Sequence, residues 1–173
     1  MRITKGKALL ILGATILLVF YGVGRFVNSK KPKPKTVDDV VEALHKSGIS
    51  DDRIQRGSQG SMTALAVQLQ GNAVIAFASD SSASTIQDGK IVLNEAANLI
   101  NGGNFSGQQK TVYEDKYSYI LIDGYDYSYR SSGEYIYGGV FNVENTYIVC
   151  LVDETNKNTA QTFLKELGYP YIK

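Results

Sequence analysis

The sequence predicts an α+β chain: an N-terminal transmembrane helix, then one domain with a mainly antiparallel sheet of about six strands and three helices packed on one sheet face. Three observations predict it. An uncharged apolar run lies near the N-terminus, and three later segments space their apolar residues as helices do. A Tyr-rich stretch from 117 to 152 alternates apolar and polar residues between short turn signals.

The anchor comes first. Ala8 to Gly24 reads ALLILGATILLVFYGVG without a charge, and Phe26 and Val27 extend it. As a helix the run spans about 26 Å, on the short side of a bilayer core. It is apolar all round and bracketed by cations, which a buried helix of a globular domain is not. The expected organisation is a basic tail over 1–7, a signal-anchor over 8–27, a Lys/Pro spacer over 28–35 and an α+β domain over 36–173. A cleaved signal peptide competes with this reading, with Gly22-Val23-Gly24 as a poor small-x-small cleavage site.

Orientation pulls two ways. Basic residues after the helix outnumber those before it, which favours a cytoplasmic domain. A short basic N-terminus ahead of a first apolar segment, and a domain rich in Tyr, Ser, Asn, Thr and Gly, favour the extracytoplasmic side, and that is the expectation adopted. Pro32 and Pro34 bias the spacer SKKPKPK to an extended, polyproline-like form. Its Lys30, Lys31, Lys33 and Lys35 stand within reach of headgroups, so the bilayer is an expected partner.

Charge divides the chain at the same point. Residues 1–35 hold eight of the 18 basic residues and none of the 17 acids, so ten bases face 17 acids beyond, a formal −7. An acidic domain without a basic stripe repels phosphate backbones, which argues against nucleic acid. Cys150, the only cysteine, sits in the apolar run YIVCLV and reads as an inert buried thiol.

Within the domain, Thr36 with Asp39 predicts a capping box, Val37, Val40, Val41 and Leu44 a helix, and Gly48 its end. Asp51 to Ser61 reads as a loop. Leu65 to Gln70 and Ala73 to Ala78 flank Gly71-Asn72 as a hairpin, with Leu65, Val67, Leu69, Val74, Ala76 and Ala78 on one face. A polar loop from Ser79 to Lys90 precedes a helix over Ile91 to Asn101, with Val92, Ala96, Leu99 and Ile100 inward. From Tyr117 to Val152, turns at Asp123-Gly124, Ser131 to Glu134 and Glu144-Asn145 divide four strands. That register puts Ile120, Ile122, Tyr125, Tyr127, Tyr129, Ile136, Val140, Val149 and Leu151 on the core face. A last helix runs from about Asn158 to Leu167 and stops at Gly168.

The opposite sheet face would then carry Tyr117, Tyr119, Arg130, Tyr135, Tyr137 and Phe141. Flat rings with hydroxyls suit a protein or a cell-surface glycan, so these residues form the expected binding surface. Glycines over 102–111 follow a helix and are wrongly spaced from Lys110 for a phosphate cradle. Asn104-Phe105-Ser106 matches a glycosylation acceptor. Acidic pairs such as Asp38-Asp39 and Asp153-Glu154 sit where helices begin and lack calcium-loop spacing, so neither metal nor cofactor is expected. The leading functional reading is a non-catalytic, membrane-anchored, extracytoplasmic binding or assembly module. A tethered hydrolase using His45 with the Ser79 to Asp88 loop is the first alternative, and a cytoplasm-facing tethered regulator the second.

Overall fold

The structure, a computed structural model, describes residues 31–83, 87–128 and 131–173. The expected anchor and basic tail, Lys30, Ser84, Tyr129 and Arg130 lie outside the described residues, as do the side chains of Asp88 and Leu99. Among the described residues no helix is long and apolar enough to cross a membrane.

Helix α1 (Val37–Lys46) opens on the predicted capping box: the Asp39 amide donates to the Thr36 hydroxyl and the Thr36 amide to the Asp39 carboxylate. Those bonds to Thr36 hold the Asp39 carboxyl below its ordinary pKa. Gly48 follows the helix at φ +84°. Helix α2 (Gln87–Asn101) starts four residues before the expected position, and α3 (Lys157–Glu166) ends just before Gly168 at φ +71°.

Among the described residues seven strands form one antiparallel sheet: β1 (Ile54–Gln59), β2 (Met62–Val67), β3 (Val74–Asp80), β4 (Phe105–Tyr113), β5 (Tyr117–Asp126), β6 (Glu134–Val143) and β7 (Thr146–Val152). Their order is β1-β2-β3-β7-β6-β5-β4. The sheet is therefore larger than expected, because β1 comes from a segment that reads as a loop and β4 from one in which no strand is expected. Both are edge strands, almost wholly exposed, and an edge strand needs no apolar alternation.

The strand order also corrects the expectation that all helices share one face. β3 lies inside the sheet and β4 at its far edge, so the connection between them must cross β7, β6 and β5. Helix α2 makes that crossing and seats Leu93 and Ala96 on Ile120, Ile122, Val140 and Val149. Helices α1 and α3 cover the other face, where Val40, Leu44, Phe163 and Leu164 meet Leu65, Phe77, Leu121, Phe141, Ile148 and Cys150. Covered on both sides, β5 buries the continuous run Tyr119-Ile120-Leu121-Ile122.

Two turns differ from expectation, and each changes which residues share a face. β5 runs straight through Asp123-Gly124, which pair with Tyr137 and Ile136. Tyr125 accordingly falls on the face of Tyr119, Tyr135 and Tyr137, opposite Ile120 and Ile122. Between β2 and β3 the loop spans 68–73 in place of a two-residue turn, and Leu65 and Val67 pair with Phe77 and Ile75. Val74, Ala76 and Ala78 therefore face the α2 side. The Glu144-Asn145 turn stands as expected, with Val143 opposite Thr146.

Glycine permits the tightest contacts inside the sheet. At Gly138, φ +136°, an added Cβ would strike the Cys150 carbonyl of the adjoining strand. Backbone cannot yield there as a flexible side chain could. Gly138→Ala is expected to lower unfolding stability by about 2–4 kcal/mol, read from the urea midpoint; a change within about 0.5 kcal/mol would contradict this packing.

Candidate functional site

Burial redistributes the expected tyrosine surface. Tyr119, Tyr137 and Phe141 are 4%, 0% and 0% exposed, so they are core beneath α1 and α3 and beyond the reach of a partner. The cause is the register just described together with the second helical layer. Tyr137 donates its hydroxyl to the Ile172 carbonyl at 2.6 Å, and burial pushes its pKa well up. Tyr117 is half-buried and stacks on Tyr119 at 6.2 Å. Tyr135, also half-buried, alone joins the site described below.

The exposed rings are ones the sequence assigned to the core. Tyr125 is 41% and Tyr127 43% exposed at the end of β5. Their centroids lie 6.5 Å apart with planes 36° from parallel, and Tyr125 meets the Tyr135 ring edge-on at 5.3 Å. Both are held from behind. The Tyr127 amide donates to the Asn104 carbonyl, and the Asp126 carboxylate accepts from the Ser128 amide and hydroxyl, fixing the chain on either side. Gly133, φ +72°, lies against the Tyr127 ring so closely that a Cβ would come within 2.9 Å of it. On the same face, Ser106 stands opposite Tyr125 and Gln108 opposite Asp123, both exposed on β4.

Behind the rings sits a partly buried charged cluster. Lys157, at the start of α3, places Nζ 3.0 Å from Asp123 Oδ2 and 2.7 Å from the Tyr135 hydroxyl, which itself donates to Asp123 Oδ1 at 2.5 Å. The ammonium also lies over the Tyr135 and Tyr137 rings. Burial works against that ammonium, but bonds to Tyr135 and Asp123 outweigh it and its pKa rises. Burial, then the bond to Asp123, raises the Tyr135 pKa, so its hydroxyl stays protonated.

An open depression of about 710 Å³ adjoins these residues through Gly133 and Tyr135. Its origin is a difference in strand length. β7 stops at Val152, opposite Tyr137, whereas β6 begins at Glu134. Bonding alternates along the ladders from the Tyr127–Asn104 pair, so the Tyr135 backbone turns away from β5 and towards this gap. On the other side Asp153 replaces the missing strand: its carboxylate accepts the Asn72 amide and the Asn156 amide as the chain turns into α3. Gly71, φ +79°, lies so close to that carboxylate that a Cβ would come within 2.1 Å of Asp153 Oδ2.

The opposite end of the domain receives the spacer. Pro32 is buried, and Tyr169 donates its hydroxyl to the Lys33 carbonyl at 2.8 Å. The Tyr169 ring packs 5.0 Å from Phe141, near the β6–β7 turn. From Phe141 back to Tyr135 is six residues of strand, about 20 Å. Residues 32–35 of the spacer are thus partly docked; the Lys31 and Lys33 side chains remain exposed and Lys35 is half-buried.

Among the described residues His45 does not meet the serine loop. Its Nε2 lies 3.2 Å from Asp51 Oδ1, beside the start of β1, while Ser81 and Ser82 sit by Ser61 at that strand's other end. Five residues of strand separate them, about 17 Å. Cys150 is buried in the core, as expected, and burial raises its thiol pKa. Among the described residues no group of three or more His, Cys, Asp and Glu converges to hold a metal ion. Comparison with family models, with curated proteins and with solved structures finds no match to this chain.

Asp123 is 13% and Lys157 29% exposed, so removing one partner strands a charge in poor solvent. Asp123→Ala is expected to cost about 2–3 kcal/mol, and the double change Asp123→Leu with Lys157→Met less than that. Urea unfolding of the single and double variants gives the comparison; additive losses would show that the pair is not coupled.

Proposed function

We propose that this chain is a membrane-anchored, extracytoplasmic, non-catalytic binding module. It is held at the spacer end and presents Tyr125 and Tyr127 at the other. The observation that carries the reading is the opposition of these ends: the spacer docks on Tyr169 near the β6–β7 turn, about 20 Å along the sheet from the exposed rings. An anchor at Ala8 to Val27 would thus leave the tyrosine end facing away from the bilayer. Exposed aromatic rings fixed by Tyr135, Gly133 and Asp126 lose little entropy on binding, which favours recognition over a merely solvated surface.

The uncharged run bracketed by Arg2, Lys5, Lys7 and Arg25 supports the anchor. Catalysis by His45 would need hydrogen-bond reach to the Ser79 to Asp88 loop, and the length of β1 between His45 and Ser81 and Ser82 disfavours it. The lysines of the spacer support contact with anionic headgroups, with Lys31 and Lys33 free to turn towards them.

A photo-crosslinking residue placed at Tyr127, and separately at Glu144 near the spacer end, tests the reading in intact cells producing the full chain. We expect the chain in the membrane fraction, its domain removed by external protease, and adducts from position 127 that disappear with Tyr125→Ala. Full-length chain in the soluble fraction without detergent would overturn the anchor. Adducts equally abundant from position 144 would overturn the tyrosine end as the binding end, and protection from protease would favour the cytoplasm-facing regulator.

A further inference from the structure

We propose that the tyrosine end binds an uncharged oligosaccharide laid from the Tyr125–Tyr127 rings past Gly133 into the depression beyond β7. The inference rests on the binding-module reading and adds the chemical class of the ligand. Two features of the surface select that class. The first is shape. The rings are tilted 36° from one another and lie on an open edge, so they offer stacking faces to a chain of rings in succession and no enclosing pocket for a compact apolar molecule.

The second feature is charge. Asp123 and Lys157 neutralise each other, while the Asp126 and Asp153 carboxylates accept from neutral amides and a hydroxyl, which leave their charge in place, so among the described residues lining this end no cation is left over. Polar groups beside the rings are neutral: the hydroxyls of Tyr125, Tyr127 and Ser106 and the amide of Gln108. Hydroxyls and amides both donate and accept, as sugar hydroxyls do, whereas a phosphate or another anion would find no counter-charge. Where the surface meets the depression, the Tyr135 backbone, turned towards the gap, and the Asn72 and Thr155 side chains add neutral donors and acceptors, and Glu134 and Asp153 line it with carboxylates that accept from sugar hydroxyls. Glu154 adds an exposed acceptor at the rim.

Saturation-transfer NMR and calorimetry of the full chain in detergent, with chitotetraose, cellotetraose and mannotetraose as probes, test this. At least one should bind with a Kd below about 1 mM, with saturation transferred to sugar ring protons. Tyr127→Ala and Tyr125→Ala should each weaken it by about tenfold. Tyr113→Ala, which removes another exposed ring at the opposite end of β4, should leave it unchanged. Both tyrosines are surface residues, and an unchanged urea midpoint keeps a loss of binding attributable to the rings. No transfer from any of the three sugars, or an equal loss with Tyr113→Ala, overturns the proposal. If no sugar binds while crosslinks from position 127 trap a protein, the ligand class is wrong and the binding-module reading stands. If neither sugar nor crosslink is found, both fall.

Discussion

The helix α2 must travel from the interior strand β3 to the edge strand β4, and most of the architecture follows from that constraint. The only route lies across β7, β6 and β5, so one face of those strands is covered by the connection itself. Helices α1 and α3, arriving from the two ends of the domain, cover the other. Strands covered on both sides cannot alternate, and β5 and β6 accordingly bury Tyr119, Leu121, Tyr137 and Phe141 on one face and Ile120, Ile122 and Val140 on the other. Space is limited where layers and strands approach most closely, and Gly138 and Gly139 in β6 stand where larger residues would meet neighbouring backbone.

Much of this was legible from residue patterns. The capping box at Thr36 and Asp39, the glycine stops at Gly48 and Gly168, the Glu144-Asn145 turn and the buried thiol of Cys150 depend on chemistry within a few residues. Other features were not legible. The edge strands β1 and β4 have polar sequences because only one flank is paired and neither face is well covered. Asp123-Gly124 has the composition of a hairpin turn, yet Gly124 is there for another reason: it lies against Gly107 and beneath the Phe105 ring, a close approach in mid-strand.

That one misassigned turn carries over to the site. Ending β5 at Asp123 places Tyr125 and Tyr127 with Ile120 in the core and leaves Tyr119, Tyr137 and Phe141 outside. The continuous strand, with a helical layer on each side, exchanges the two sets. A Tyr-rich binding end was therefore foreseeable in kind, while its residues depended on a register that tertiary packing decides. Tyr135 belongs to both descriptions because it sits where the cover of α3 ends, its hydroxyl bound to Lys157 and its ring against Tyr125. The docking of Pro32 and Lys33 was equally hidden, since it depends on Tyr169 at the far end of the chain.

Which tyrosines meet solvent is thus the most direct question to put to the molecule. Nitration of the native full chain, mapped by mass spectrometry, should modify Tyr113, Tyr125 and Tyr127 readily and spare Tyr119, Tyr137 and Tyr169 until the domain is unfolded. Native-state nitration of Tyr119 or Tyr137 with protection of Tyr125 would restore the face order of the hairpin reading and contradict both the register and the site built on it.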